Sequence, residues 1–152
     1  MGVFMGSIQM KKTLSKSDIL GANDLKFEYV DCPEWGGRVR VRGAMAIERD
    51  EYDQSMTITK INDAGKAEVV DNFANAKARL VVKCIVDDNG NRLFSDSEST
   101  ALGKKASTAI DRIYRRIQAL SAMTKKAQEE LEKNSETGQD ENSPLTLPAT
   151  SA

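Results

Sequence analysis

Between Lys105 and Met123 the chain reads KASTAIDRIYRRIQALSAM, with Ala106, Ala109, Ile110, Ile113, Tyr114, Ile117 and Leu120 recurring at intervals of three and four. That spacing gathers them on one stripe of an α-helix and sets Asp111, Arg112, Arg115 and Arg116 elsewhere on it. A stripe this apolar is unfavourable in water, so the helix must be covered by another part of the chain. The available covers decide the fold.

One cover is a pair of alternating segments. LKFEYV, residues 25–30, puts Leu25, Phe27 and Tyr29 on one face and Lys26 and Glu28 on the other, and RVRVR, residues 38–42, sets Val39 and Val41 opposite Arg38, Arg40 and Arg42. The intervening DCPEWGG contains Pro33 and the Gly36-Gly37 pair, which is turn chemistry, so the two segments form an antiparallel hairpin. Its aromatic face is expected inward, and its arginines outward with Glu28 available across the strands. Trp35 at the turn has two readings: it caps the apolar edge of the hairpin, or it stands exposed as a contact anchor, a role in which Trp is enriched.

The rest supplies short elements. Ser15 with Asp18 predicts a capping box and a helical turn closed near Gly21 and Asn23. Residues 44–56 read as a helix with Met45, Ile47, Tyr52 and Met56 on its apolar side, and 57–70 as a hairpin or loop about Asn62-Asp63-Ala64-Gly65. In DNFANAKARLVVKCIV, Asp71 or Asn72 is expected to cap a helix facing inward through Phe73, Leu80, Val81, Cys84 and Ile85, although LVVKCIV also suits a strand. Asn89-Gly90 marks a turn, Ser95 and Glu98 a second capping box before a helix that Gly103 interrupts, and 124–134 a polar helix. The expected class is α+β, a small antiparallel β-hairpin packed with several α-helices. Residues 1–13 are expected to be a flexible N-terminus, 14–133 one domain, and 134–152 a disordered polar segment, rich in Ser, Thr and Pro without apolar periodicity.

With 152 residues, 39% of them hydrophobic, the chain can build one modest core. Its 22 Lys and Arg against 23 Asp and Glu create no global field for a polyanion. Cys32 and Cys84 are too few and too far apart for a disulfide framework or a structural zinc site, which points to reduced thiols in a cytoplasm. No secretory leader and no apolar run long enough to span a membrane is visible.

Catalytic groups are scarce. Histidine, the commonest general base and metal ligand, is absent. The glycines fit neither phosphate-binding pattern. Asp87, Asn89, Asn91 and Glu98 stand at positions one, three, five and twelve of a calcium loop, but Arg92 takes the sixth, where the sharp turn requires glycine. Acidic neighbours such as Asp50 and Glu51 have no apolar pocket to raise a pKa. No cofactor, metal site or enzymatic activity is expected.

The order of the pieces, LSKSDILGANDLKFEYVDCPEWGGRVRVRGAMAIERDEY followed by ARLVVKCIVDDNGNRLFSDSESTALGKKASTAIDRIYRRIQAL, resembles the tail assembly chaperones of long-tailed bacteriophages and prophages. The matching features are the L-x-x-x-D-I-L start, the P-E-W-G-G-x-V-x-V-R hairpin, the E-R-D helix start, the D-x-x-G-x-R-L-F turn and the helix after A-L-x-x-K. The resemblance implies a non-enzymatic protein of the bacterial host cytoplasm. Its expected partner is the tape-measure protein, which it keeps soluble while the tail tube polymerises, and it is absent from the finished virion. The chain looks like the shorter product of a frameshifted gene pair; the tail tube protein, the longer product and a second copy are further candidate partners, with no nucleic acid and no membrane. The residues assigned to partner binding are Trp35, Arg38, Arg40 and Arg42. A competing reading, a nucleic-acid module, requires Arg38, Arg40 and Arg42 to converge with Arg112, Arg115 and Arg116 on one face.

Overall fold

In the computed structural model, which describes residues 11–126 together with 129, 132 and 133, the alternating segments pair as expected. Strand β1 (Phe27–Cys32) runs antiparallel to β2 (Gly37–Arg42), with Tyr29 opposite Arg40 and Val30 opposite Val39. A short strand β5 (Ile85–Val86) adds to the other side of β2, so the sheet order is β1-β2-β5. A separate two-stranded sheet joins β3 (Thr57–Ile61) to β4 (Ala67–Asp71). The helices are α1 (Lys16–Gly21), α2 (Ala46–Gln54), α3 (Ala76–Cys84), α4 (Ser99–Leu102) and α5 (Ser107–Leu120). The architecture is α+β.

The α5 stripe does what its periodicity requires. Ala109, Ile110, Ile113 and Ile117 are buried, with Tyr114 and Leu120 packed partly against them, and the helix lies across β1 and β2 with α3 beside it. Leu80, Val81, Val82, Cys84 and Ile85 complete the core, each at most 1% exposed. At the far end α5 approaches β2 so closely that a Cβ on Gly43 would lie 2.9 Å from the Leu120 carbonyl oxygen, and the Ser121 hydroxyl accepts from the Ala44 amide. Glycine is required there by packing alone.

Several expectations are corrected. The inner face of β1 carries Val30 and Cys32, with Glu28 half-buried at its start, whereas Phe27 and Tyr29 point outward at 37% and 43% exposure. Val and Cys fit beneath a closely packed helix, and the larger rings are displaced to the open side. Arg42 is buried at 4% exposure because Glu48 of α2 lies over that end of the outer face, while Ile47, placed inward by sequence, is 64% exposed. Phe73 is likewise exposed, and α3 starts only at Ala76, because Asp71 is spent in β4 and Asn72 donates its side-chain amide to the Ser55 carbonyl. The strand and helix readings of LVVKCIV each hold for part of it, with the change at Ile85. Both capping boxes form, at Ser15 with Asp18 and at Ser95 with Glu98. Residues 1–10, the 134–152 segment and part of the polar helix, residues 127, 128, 130 and 131, fall outside the described residues.

Candidate partner-binding surface

The PEWGG stretch is a clamp as well as a turn. Pro33 opens a single 3-10 turn over Pro33–Trp35, and Gly36 closes it at a φ of 78°, a left-handed conformation that disfavours a side chain. Glu34 then reaches α5: its two carboxylate oxygens accept from both terminal nitrogens of Arg112 at 2.8 Å, and one also accepts from the Thr108 hydroxyl at 2.8 Å. The Arg112 guanidinium holds the Glu34 carboxyl far below its ordinary range, at about 2. Trp35 is half-buried against the core. One side of its ring thus closes the apolar edge, and the remainder stays in reach of solvent.

The outer face of the hairpin forms a ladder of rings and guanidinium groups. Arg38 lies over the Tyr29 ring at 3.8 Å from its centre, and Arg40 sits 4.3 Å from the Phe27 centre and 5.7 Å from that of Tyr29. Cross-strand partners share a face, so Tyr29 opposite Arg40 is the expected geometry once the register is fixed. The 87–91 turn braces the ladder: the Tyr29 hydroxyl donates to Asp88 Oδ1 at 2.9 Å and Arg40 donates to the Asp88 carbonyl at 2.8 Å. Arg38 remains exposed at the open end. An exposed, pre-positioned array of this kind suits apolar contact combined with attraction for carboxylates.

Arg42 belongs to the scaffold. Its guanidinium makes a two-pronged pair with Glu48 at 2.7 and 3.0 Å, and Glu48 Oε1 also accepts from the Met45 amide, which ties the end of β2 to the start of α2. The arginine clusters do not converge. Arg116 pairs with Glu28 through two bonds of 2.9 Å, and it and Arg112 approach from the α5 side of the sheet, opposite the face bearing Arg38 and Arg40. With Glu28, Glu34 and Glu48 each answering one arginine, no continuous basic footprint forms.

The calcium-like spacing resolves into turn chemistry. Asp87 Oδ1 accepts from the Asn89 and Asn91 amides at 2.8 and 2.9 Å, Gly90 adopts a φ of 88°, and Arg92 donates to the Val82 carbonyl and to Asp96. Among the described residues there is no group of three or more acidic, Cys or His side chains able to hold a metal ion, and no helix is long and apolar enough to cross a membrane. Cys32 and Cys84 are both buried free thiols, and burial pushes that of Cys84 up to about 12.

Sequence reasoning placed Arg38 and Arg40 on the outer face of the hairpin, where they lie, but missed Phe27 and Tyr29 as surface groups. The signal was the register, which sets Phe27 and Tyr29 opposite Arg42 and Arg40, residues read as outward.

The domain thus presents a braced side-chain surface on the outer face of its first hairpin. Residues 18–135 match the family model of the phage tail assembly chaperone, and the chain belongs to that family. Among solved structures it is similar to the tail assembly chaperone of bacteriophage HK97, at 17% identity and a TM-score of 0.46, over 63% of this chain and 85% of that one. No curated protein matches it.

Proposed function

We propose that this chain binds the tape-measure protein in the cytoplasm of the infected or lysogenic host, keeps it soluble while the tail tube polymerises, and leaves before the virion is complete. It acts by binding and not by catalysis. The reading draws on family membership, and the observation that carries it to particular residues is the Phe27–Tyr29–Arg38–Arg40 ladder on the outer face of the hairpin. Trp35 lies at the hairpin tip, and its exposed side extends the contact. A long helical partner offers repeated apolar and acidic patches, and many copies with modest individual affinity would cover it reversibly. Arg42, covered by Glu48 at the end of the same face, belongs to the scaffold that holds the surface. The tail tube protein and a longer frameshifted product are secondary partners under this reading.

The test is co-expression with the tape-measure protein encoded nearby. Wild-type chain should hold that protein in the soluble fraction and co-purify with it, whereas Arg38→Glu combined with Tyr29→Ala should release it without a large change in melting temperature. Trp35→Ala should weaken both binding and stability, because the ring serves both. A tape-measure protein that stays soluble and ignores the wild-type chain overturns the proposal.

A further inference from the structure

The two arginines of the ladder are held in different ways. Arg40 is half-buried and already committed: one terminal nitrogen donates to the Asp88 carbonyl at 2.8 Å and reaches the Asp87 carbonyl at 3.5 Å, while the guanidinium lies over the Phe27 ring. Arg38 is exposed, and among the described residues no carboxylate or carbonyl takes its N–H groups. Asp31 stands opposite it in the register, yet no ion pair joins the two. The Arg38 guanidinium lies instead 3.8 Å from the centre of the Tyr29 ring.

At that separation the guanidinium is in contact with the ring face, which restricts its motion and leaves its donors unused. Those donors form a rigid fork whose spacing matches the two oxygens of a carboxylate. Tyr29 cannot swing away, because its hydroxyl donates to Asp88 Oδ1 at 2.9 Å and Arg40 flanks the same ring at 5.7 Å. The order of support runs from the 87–91 turn to Tyr29 and from Tyr29 to Arg38. Part of the freedom that an arginine loses on binding is therefore lost before any partner arrives.

We infer that Arg38 is the recognition residue of this surface: its fork takes an Asp or Glu carboxylate of the bound tape-measure segment in a two-pronged pair, beside the exposed edges of Tyr29 and Phe27. Tyr29 and Asp88 are positioning residues that act through Arg38. Arg40 locks the turn and does not touch the partner's carboxylate. This inference rests on the tape-measure reading and deepens it, since that reading requires only that the ladder bind, whereas here the charge recognition belongs to one guanidinium.

The experiment co-expresses tagged full-length chain with the tape-measure protein and reads how much of that protein stays on the column as the salt in the wash rises. Arg38→Gln should retain about a tenth of the wild-type amount or less, because a charge-assisted two-pronged pair is lost. Arg38→Lys keeps the charge without the fork and should retain no more than about a third. Both variants should melt as wild type does, since Arg38 is exposed. Asp88→Ala should lower retention about threefold, and Asp88→Asn, which keeps an acceptor for the Tyr29 hydroxyl, should restore it. In an Arg38→Gln background Asp88→Ala should have no further effect, which a merely structural role for Asp88 would not produce. Wild-type retention by Arg38→Gln or by Arg38→Lys, or an equal loss from Asp88→Ala with and without Arg38, overturns the inference and leaves the tape-measure reading standing. A wild-type chain that retains no tape-measure protein overturns both.

Discussion

The chain builds two antiparallel hairpins, and one becomes a layer of the core while the other buries almost nothing. β1–β2 gains β5 along one edge and α5 across one face, so Val30, Cys32 and Val41 are at most 5% exposed. β3–β4 has the same pairing geometry and equally β-prone residues, yet no helix among the described residues covers it. It is held at its base, where Arg79 of α3 donates to the Ser55 carbonyl and hydroxyl at 2.7 Å and to the Asn72 carbonyl at 2.5 Å. Strand propensity is common to both. Burial against a second layer separates them, as expected where hydrophobic contact and not local pairing supplies most of the stability.

The comparison breaks most sharply at the buried ion pair that fixes β2 to α2. Glu48→Ala strands the Arg42 guanidinium without its carboxylate, and a loss of about 3–5 kcal/mol in urea unfolding is expected. A loss under 1 kcal/mol would show that water reaches Arg42. Next is the helix cover itself: Ile113→Ala removes a side chain that is 0% exposed and should cost about 2–5 kcal/mol, with a lower urea midpoint and an unchanged slope.

The clamp at the hairpin tip gives a pH signature. The Glu34 carboxyl is depressed from an ordinary 4.5 to about 2 by Arg112. Its contribution to stability is therefore complete above the ordinary value and disappears as pH falls from about 4.5 towards about 2. Wild type should lose more stability than Glu34→Gln between pH 5 and pH 2.5, and parallel losses would contradict the clamp.

The smallest effect belongs to the open hairpin. Thr59→Ala, at an exposed position of β3, should change stability by no more than about 0.5 kcal/mol. Hydrogen exchange sharpens the contrast: amides of β3–β4 should exchange through local opening well before those of β1–β2. Equal protection would mean that the second hairpin is covered as well as the first.

The sequence by itself determined that a helix with one buried stripe lies between Lys105 and Met123, that residues 25–30 and 38–42 pair as a hairpin about PEWGG, and that Ser15 and Ser95 open capped turns. These are short-range matters of spacing, caps and turn residues, and the α+β class follows from their order. Only the tertiary structure decided which face of β1 goes inward. Both faces carry apolar residues, and the choice rests on Val30 and Cys32 fitting beneath α5 where Phe27 and Tyr29 do not. The same holds for the arginines. In sequence Arg38, Arg40 and Arg42 are equivalent members of one alternation, but the arrival of Glu48 from α2 takes Arg42 into the interior, whereas the 87–91 turn braces Arg40 and leaves Arg38 open. A strand pattern records that three side chains share a face; what covers that face comes from residues distant in sequence, brought there by packing.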